Sequence, residues 1–386
     1  MSDRRRESGG SEAVLPAREI RVSSRFGSYP VIVSADSLSD LPAALIERAP
    51  AHRYAVISDS NVARLHADKI AGLLEGSGLV AKLFTFPAGE AHKNRETWAS
   101  LTDAMLEAGM GRDTCVVGVG GGVTGDLAGF VAATFMRGIS LVQIPTSYLA
   151  MVDASVGGKV GVDAPWGKNL IGAFHSPRLV WSDPALLATL PSEERAHGLV
   201  EAVKHGAVLS PSHLGAIRGL AAPLLECEPS AAAAVVADSV AIKADVVGRD
   251  ELEGSYREIL NFGHTIAHAV EAATDYRVSH GRAVAWGMMV ESVLGERLGV
   301  TEPGTADRIR TSVVELGVDP AVGGEVDSDE IVRRLDADKK ARKGSARFVF
   351  LRRIGEVARV EDGRWSRTVP EEEVRRALEA VAGPIG

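Results

Sequence analysis

The pattern of hydrophobic residues changes halfway along this chain, and the change limits the folds that the chain can adopt. From Glu19 to about Asp183, short runs rich in β-branched residues alternate with stretches that have helical spacing. Such alternation is typical of βα units around a mostly parallel sheet. The predicted strands are EIRVSS, YPVIVS, RYAVISD, AKLFTF, TCVVGVGGG, ISLVQIPTS and LVWSD.

The second half predicts a mostly helical structure. From Pro191 onward, long Ala- and Leu-rich segments have helical spacing, among them SEERAHGLVEAVKHGAVL, PSAAAAVVADSVAIKADVV and HTIAHAVEAA. Near the end, SARFVFLRRIGEVARV predicts a small hairpin, and a capped helix follows from Pro370. We therefore expect a disordered arm over 1–17, a Rossmann-like α/β domain over 18–187, a mainly helical domain over 188–386, and an active site in the cleft between the two domains.

Composition excludes several classes of protein. The chain has 386 residues, 45% of them hydrophobic, which is enough for two or three domains with large cores. A formal net charge of -8 without a basic stripe argues against nucleic acid as a partner. The longest uncharged apolar stretch, 138–152, is too short for a membrane span, and the N-terminus has no apolar signal core, so we expect no membrane partner and a cytoplasmic location. With only two cysteines, Cys115 and Cys227, any metal would be held by His and carboxylate side chains.

A glycine-rich turn joins an apolar strand to a helix in VVGVGGGVTGDLAGFVAATF. Glycines let backbone N–H groups approach a phosphate, and the N-terminus of the next helix favours the negative charge. The turn lacks the usual placement of a dinucleotide fingerprint, so a tight packing joint between strand and helix is the alternative. Upstream, Asp59 is either a ribose-binding carboxylate or an ordinary helix N-cap, a role that Ser60 could fill instead.

Histidines and carboxylates concentrate in the helical half. His264 and His268 are four residues apart, so both project from one helix face. Glu201 and Lys204 are three apart on another helix, and His280 follows in a turn-like segment. Two His and one carboxylate leave open coordination positions on zinc, which is the catalytic arrangement. The alternatives are a capping or core role for each histidine and a solvated surface pair for Glu201 and Lys204.

Several basic residues are surrounded in the sequence by uncharged residues. The segment DASVGGKVGVDAPWGKNLIGAFH, interpreted as a loop, carries Lys159, Lys168 and Asn169 among glycines and apolar residues. A cation in such surroundings suggests an anionic ligand rather than a salt bridge. Arg137 ends an apolar helix, and Lys339 lies in DADKKARKG, where a solvated charge run is the alternative. Together these residues predict a phosphorylated or carboxylated substrate.

Long motifs in a fixed order extend this reading over most of the chain. They are GGGVTGDLAGFVAATFMRGISLVQIPTSYLAMVDASVGGKVGVDAPWGKNLIGAFH, LPSEERAHGLVEAVKHG, REILNFGHTIAHAVEA, SHGRAVAWGM and DKK. From about Glu19 to Gly355 the chain resembles the dehydroquinate synthase family of sugar phosphate cyclases. The resemblance implies an N-terminal NAD-binding domain, a C-terminal helical domain that holds zinc or cobalt, and a homodimer.

The resemblance also implies a reaction. The substrate would be 3-deoxy-D-arabino-heptulosonate 7-phosphate, a phosphorylated keto acid, and the products 3-dehydroquinate and phosphate. NAD would oxidise a substrate hydroxyl and later return the hydride, so that the enzyme is a phosphorus–oxygen lyase without net oxidation. The metal would act as a Lewis acid, and motif match places its ligands at Glu201, His264 and His280. His268 then becomes a substrate-side group.

The remaining roles are carried over by motif match. The substrate pocket would contain Asp153, Lys159, Asn169, Lys204, Lys243, Arg257, Asn261, His268 and Lys339. Arg257 and Lys243 suit the substrate carboxylate, and Lys159, Asn169, Asn261, His268 and Lys339 suit its phosphate end. Arg137 would reach the neighbouring subunit's site. The NAD contacts would be Asp59, Asn61, Glu90, Lys93, Gly121, Gly122, Asp126, Thr146, Ser147 and Lys168, with Lys159 shared between cofactor and substrate.

The chain departs from the family's motifs at two positions. Ser147 replaces a Thr and keeps the hydroxyl, whereas Arg282 replaces the acid of a His-Gly-Glu motif. We expect this reversed charge near His280 to alter ligand orientation or metal affinity and to bear on substrate identity. The alternatives are a cyclase that acts on sedoheptulose 7-phosphate or an amino analogue, a metal-dependent alcohol or glycerol dehydrogenase, and a non-catalytic homologue. The set Arg257, Asn261 and His268 favours the dehydroquinate synthase prediction.

Overall fold

The computed structural model describes residues 17–322, 326–341, 346–360 and 363–382. The strands are β1 (Arg18–Ser24), β2 (Gly27–Val33), β3 (Arg53–Asp59), β4 (Ala81–Phe86), β5 (Thr114–Gly120), β6 (Ser140–Pro145), β7 (Lys159–Ala164), β8 (Gly167–Phe174), β9 (Leu179–Ser182), β10 (Arg347–Val349), β11 (Leu351–Arg353), β12 (Glu356–Val357) and β13 (Ser366–Thr368). The α-helices are α1 (Leu41–Arg48), α2 (Ser60–Val62), α3 (Asp68–Gly76), α4 (Arg95–Glu107), α5 (Gly122–Thr134), α6 (Ser192–Leu209), α7 (Pro211–Gly219), α8 (Ala221–Leu225), α9 (Pro229–Arg249), α10 (His264–Ala273), α11 (His280–Arg297), α12 (Thr305–Glu315), α13 (Ser328–Ala341) and α14 (Glu371–Ala382). Short 3₁₀ segments lie at Leu38–Asp40, Glu90–His92, Phe135–Arg137, Pro184–Thr189 and Tyr256–Asn261, and π-helical turns at Ala63–Ala67 and Ala150–Ala154.

One seven-stranded sheet organises the first half, in the order β1-β2-β9-β6-β5-β3-β4. β1 and β2 pair antiparallel, and the other neighbours pair parallel. These are the seven strands that the β-branched runs predict, so the predicted mostly parallel sheet is confirmed. Every residue of β5 is buried, as expected for a central parallel strand that is covered on both faces.

Alternate side chains of the central strands enter two different cores. On β3, Tyr54 and Val56 belong to a large core that continues into the helical half, whereas Ala55 and Ile57 belong to a smaller core under α4 and α5. The large core therefore joins the sheet to the second half of the chain. That junction brings side chains of the helices close to the carboxyl ends of the strands.

The second half is mostly helical, as predicted. α6 and α10 have the bounds of the segments that helical spacing predicts, and α9 begins at the predicted Pro229. α11 packs against α6, α10, α12 and α14, so it lies at the centre of this half. None of the described helices has both the length and the apolar character needed to cross a membrane. The predicted boundary at residue 187 falls between β9 and α6.

Two local predictions need correction. The segment interpreted as a loop is an antiparallel hairpin, β7 and β8, that lies outside the main sheet and packs against α5. Glycines at 161, 167 and 172 interrupt the β-branched pattern by which strands are recognised. At the C-terminus, β11 and β12 form the predicted hairpin, but β10 pairs with β13 instead of continuing into it. The predicted arm lies outside the described residues except for Ala17.

Candidate active site

The glycine-rich turn lies at the carboxyl ends of the central strands, where open α/β sheets bind ligands. β5 ends at Gly120, and Gly121 caps α5 with extended backbone, so the first N–H groups of α5 face out of the turn. A Cβ at Gly120 would lie 2.4 Å from Thr124 Oγ1, so this turn requires glycine. The Thr146 N–H donates to the Gly120 carbonyl at 2.9 Å, which brings Thr146 beside the turn. This arrangement fits the pyrophosphate of a dinucleotide.

Asp59 ends β3 beside the same turn. Its Oδ1 accepts hydrogen bonds from the N–H groups of Asn61 and Val62, and its Oδ2 accepts one from Thr124 Oγ1. The structure therefore shows the N-cap alternative for Asp59. Its role in binding a ribose stays a prediction.

A buried lysine collects three carboxylates next to this turn. Lys93 Nζ lies 2.9 Å from Glu90, 3.2 Å from Asp126 and 3.7 Å from Asp163. Burial alone would lower the pKa of Lys93, but the three carboxylates raise it above its usual value. Burial raises the pKa of Asp126 to about 6, although Lys93 opposes that shift. Three predicted NAD contacts thus form one cluster, to which the structure adds Asp163.

The three predicted metal ligands come together in the helical half. Candidate ligand atoms of Glu201, His264 and His280 all lie within 4.8 Å of one another. Glu201 is on α6, and the two histidines are the first residues of α10 and α11. Glu201 Oε1 lies 3.4 Å from His264 Nε2 and 3.3 Å from His280 Nε2, so two imidazole nitrogens and one carboxylate oxygen face a common point.

Close helix packing creates this convergence. A Cβ at Gly281 would lie 2.3 Å from the carbonyl oxygen of His197 on α6, and a Cβ at Gly287 would lie 2.0 Å from the carbonyl oxygen of Gly263. Glycine at these two positions therefore lets α11 approach both α6 and the start of α10. The approach places His280 beside Glu201 and His264.

The electrostatics of the group favour a cation. Burial alone would raise the pKa of Glu201, but Lys204 and His264 bring it well below its usual value, so the carboxylate is ionised. Burial alone would lower the pKa of His280, but Glu201 and Glu271 raise it to about 10. A field that favours positive charge at His280 equally favours a divalent ion among the three ligand atoms. The donor set, with one carboxylate and two imidazoles, fits zinc or cobalt.

A second group of possible ligands shares Glu201 but is neutralised. Atoms of Asp153, Glu201 and His205 also lie within 4.8 Å of one another. However, Lys204 Nζ lies 2.5 Å from Glu201 Oε2, and Lys243 Nζ lies 2.7 Å from Asp153 Oδ1. Two ammonium groups already balance these carboxylates, so the first group is the better cation site. The solvated-pair alternative for Glu201 and Lys204 is wrong, because both side chains are buried.

Glu271 connects the hairpin to the proposed ligands. Its Oε1 lies 3.1 Å from Lys168 Nζ on β8 and 3.4 Å from Nδ1 of His280. Carboxylates in this position orient a metal-binding histidine and fix its tautomer. The side chain is buried, and Glu271 is not among the site residues predicted from the sequence.

The two lysines of the hairpin form salt bridges, whereas the sequence predicted cations without them. Lys159 pairs with Glu253, and Lys168 pairs with Glu271. Both acids belong to the helical half, more than ninety residues further along the chain, so the sequence did not reveal the pairing. Glu253 Oε1 also accepts a hydrogen bond from Asn261 Nδ2 at 2.9 Å, which places Lys159, Glu253 and Asn261 in one cluster.

Other predicted substrate residues line the same junction. Lys243 is buried, and burial lowers its pKa to about 8 although Asp153 opposes that shift. Arg257 is buried too, and its guanidinium donates to the carbonyl oxygens of Gly157 and Glu251. The rings of His264 and His268 meet edge to face with centroids 5.5 Å apart, so His268 lies next to the proposed ligands.

Some predicted residues lie at the margin of this site. Arg137 is exposed and adopts a positive φ of 68° after α5. Asn61 and Asn169 are also exposed, and Ser147 Oγ accepts from the Ala150 N–H. Gly122 is the first residue of α5, beside the turn. The side chain of Lys339 lies outside the described residues.

Arg282 contacts the backbone of the segment that follows α12. Its guanidinium donates hydrogen bonds to the carbonyl oxygens of Asp319 and Ala321, at 3.1 Å and 2.9 Å. The side chain thereby holds the segment that follows α12. Its predicted effect on metal affinity stays a prediction.

Comparison with protein families gives two adjoining matches. Residues 83–197 match the model described as 3-dehydroquinate synthase N-terminal, and residues 198–341 match the model described as 3-dehydroquinate synthase C-terminal. A curated 3-dehydroquinate synthase from Symbiobacterium thermophilum is 40% identical over 355 residues, which cover 92% of this chain and 98% of the relative. The same-named protein of Pelotomaculum thermopropionicum is 42% identical over 329 residues, covering 85% and 89%.

Solved structures share the whole architecture. A 2-deoxy-scyllo-inosose synthase, complexed with carbaglucose-6-phosphate, NAD+ and Co2+, is 25% identical with a TM-score of 0.87, covering 95% of this chain and 99% of that one. A 2-epi-5-epi-valiolone synthase from Streptomyces hygroscopicus, with NAD+ and Zn2+ bound, is 28% identical with a TM-score of 0.83, covering 92% and 96%. A probable glycerol dehydrogenase from Sinorhizobium meliloti, at 19% identity and a TM-score of 0.63, shares the fold alone, covering 90% and 94%.

Proposed function

This chain belongs to the 3-dehydroquinate synthase family, and from that premise we propose that it converts 3-deoxy-D-arabino-heptulosonate 7-phosphate into 3-dehydroquinate and phosphate. The observation that carries the proposal is the convergence of Glu201, His264 and His280 beside a pocket of buried lysines. A metal-binding donor set next to cations suits a hydroxylated substrate that carries phosphate and carboxylate groups.

We propose NAD and a divalent metal, zinc or cobalt, as the cofactors. Relatives of the same architecture are described with NAD+ and Co2+ or Zn2+ bound. When bound, the metal would polarise a substrate hydroxyl and NAD would accept and return a hydride, so phosphate elimination proceeds without net oxidation. On this chain, Glu201, His264 and His280 would hold the metal. The turn at Gly121 and Gly122 would hold the cofactor's pyrophosphate, with the remaining NAD contacts as the resemblance implies.

The substrate would lie between the two halves of the chain, and its carboxylate and phosphate ends would contact different sets of basic residues. Lys243 and Arg257 would hold the carboxylate, since both cations are buried at the junction. Lys159 and Asn261 would hold the phosphate end together with His268, Asn169 and Lys339. Asp153 and Lys204 lie next to Glu201, where they can orient the substrate hydroxyls and move protons. Holding one flexible substrate in a reactive orientation supplies much of the rate.

The domain division at residue 187 and the homodimer are part of this proposal. Arg137 would reach the partner's site, and its exposure after α5 leaves its guanidinium accessible to a second copy. Activity measured across a dilution series, alongside the oligomeric state, tests this arrangement.

The deciding experiment mixes the metal-loaded protein and NAD with 3-deoxy-D-arabino-heptulosonate 7-phosphate. We expect phosphate and 3-dehydroquinate in equal amounts, no accumulation of NADH, and loss of both products on chelation. Sedoheptulose 7-phosphate serves as the matched substrate without a carboxylate. Turnover of that compound alone would replace the proposed reaction with that of another cyclase, and steady NADH formation from a simple alcohol would indicate a dehydrogenase.

A further inference from the structure

We propose that His205 is a positioning residue that fixes the Asp153 carboxylate through a buried relay, Asp153–His205–Ser239–His213. The proposal deepens the proposed function and rests on it, because it assigns the group that orients a substrate-side carboxylate. None of His205, Ser239 and His213 belongs to the site residues that the family motifs imply.

Asp153 is held at one oxygen and open at the other. Its Oδ1 lies 2.7 Å from Lys243 Nζ and 3.3 Å from His205 Nε2. Among the described residues, no hydrogen bond reaches Oδ2, and the side chain remains 23% exposed. Contacts at Oδ1 from two sides determine the rotation of the carboxylate and therefore where Oδ2 points. Oδ2 is the atom available to a ligand.

The relay continues behind His205 into the interior. His205 Nδ1 lies 3.4 Å from Ser239 Oγ, and the same Oγ lies 3.0 Å from His213 Nε2. All three side chains are buried. Ser239 lies one turn before Lys243 on α9, so a single helix positions both the lysine at Oδ1 and the hydroxyl behind His205. Three helices, α6, α7 and α9, thus contribute to the orientation of one carboxylate.

The donors and acceptors of the relay permit one consistent proton arrangement. Asp153 is ionised, because Lys243 and Lys204 bring its pKa well below the usual value although burial alone would raise it. His205 must therefore present an N–H at Nε2 and a lone pair at Nδ1, to which the Ser239 hydroxyl donates. Ser239 then accepts from the Nε2–H of His213. His213 Nδ1 is left as a bare acceptor, and within the described part of the chain it has no hydrogen-bond partner.

His205 acts through Asp153 and does not contact the substrate itself. The side chain is fully buried, and burial lowers its pKa, so the imidazole is neutral. Nε2 and Oδ1 are close but not aligned as a hydrogen bond in this structure. Contacts of this kind in active sites often align only in the substrate complex, which is where a positioning role would be exerted.

The test replaces His205 in the NAD- and metal-loaded enzyme. H205L removes the donor, whereas H205Q keeps an N–H at a similar reach. We expect H205L to lose roughly 10- to 100-fold in kcat/KM, since it removes the hydrogen bond to the Asp153 carboxylate that the proposal places in the substrate complex. H205Q should recover most of that loss, and metal content should be unchanged in both. H66L is the matched control, because His66 is also buried against a hydroxyl, Thr189 Oγ1 at 2.7 Å. It should change thermal stability only.

A double-mutant cycle tests the relay itself. S239A should lower kcat/KM in the native background but have no further effect in H205L, because Ser239 acts only through His205. S312A, at a buried serine of α12, is the matched control and should have no effect on kcat/KM. Full activity of H205L, or an equal effect of S239A in both backgrounds, overturns the proposal.

Nitrogen NMR of the imidazoles separates this proposal from the proposed function. The relay predicts neutral Nε2–H tautomers at His205 and His213, whichever substrate is turned over. An Nδ1–H tautomer at His205 overturns the relay even if the enzyme makes 3-dehydroquinate. The predicted tautomers without any turnover would instead leave the relay standing and refute the proposed reaction.

Discussion

Replacing Glu271 by Gln removes one negative charge beside His280 and keeps the size of the side chain. The carboxylate now faces Nδ1 of His280 at 3.4 Å, on the opposite side of the ring from Glu201. With Gln, the ring loses the anionic acceptor that favours the Nδ1–H tautomer and a free Nε2 lone pair, and only a neutral, weaker amide acceptor takes its place. We therefore expect E271Q to bind the metal less tightly and to keep its fold.

The expected magnitude follows from the pKa of Glu271. Burial alone would raise this pKa, but His280 and Lys168 lower it from 4.5 to about 2. A net shift of that size means that the surrounding cations stabilise the carboxylate by roughly 3 kcal/mol more than burial destabilises it. Part of that stabilisation acts through the His280 ring. We therefore expect metal affinity to fall roughly 10- to 100-fold, the usual effect of losing a carboxylate behind a metal-binding histidine.

The assay is a competition titration of the metal-free protein against a chelator of known affinity. Thermal unfolding with and without metal gives a second value, because a tenfold weaker site reduces metal-induced stabilisation by about 1.4 kcal/mol. The control is K168M, which removes the other partner of Glu271 but leaves the carboxylate facing His280. Affinity in K168M should not fall. Unchanged affinity in E271Q, or an equal loss in both variants, would refute the reasoning.

Three further predictions test other parts of the structure. G120A should destabilise the protein by about 1–3 kcal/mol and abolish NAD binding, because its methyl group would overlap Thr124. The control G72A, whose Cβ meets nothing within 4 Å, should stabilise the protein by about 0.5–1 kcal/mol. Denaturant titration measures the stability of both variants, and cofactor titration measures their NAD binding. K93M should cost about 3–5 kcal/mol in the same denaturant titration, because it leaves three carboxylates around an uncharged side chain, and a loss below 1 kcal/mol would contradict this. Burial lowers the pKa of His213 from 6.5 to about 4 in the folded protein. Between these two pH values the unfolded state binds more protons than the folded state. The free energy of unfolding should therefore fall as the pH drops from about 6.5 to 4. H213N should show a shallower fall over that window.

The sequence predicted the sheet well, because its central strands are buried on both faces. Such strands read as continuous β-branched runs, of which TCVVGVG is the clearest. The hairpin of β7 and β8 was missed because glycines replace the residues that mark a strand. Local composition therefore identifies a strand where β-branched and aromatic residues are frequent, and misses one in which glycines take their place.

Motif match placed the proposed metal ligands, and the structure brings them together, whereas the residues that contact them were not predicted. Glu271 lies seven residues after His264, on the same face of α10, but acids at helical spacing are common. Nothing in the sequence shows that His280 returns to that face from the next helix. His205 was missed for the same reason, since its partner Asp153 lies in a π-helical turn 52 residues earlier in the chain. Contacts between distant segments depend on packing that spacing does not report.

Glu201 has a consequence for how this pocket can evolve. One of its oxygens faces His264 and His280, and the other faces Lys204. A single carboxylate thus belongs both to the proposed metal-binding group, with His264 and His280, and to the lysine-lined group of Asp153 and His205. A mutation that tunes one group therefore changes the selection on the other, and the effects of substitutions in the two groups should be epistatic. A change of metal preference and a change of substrate therefore cannot evolve independently in this chain, because both involve the side chain of Glu201.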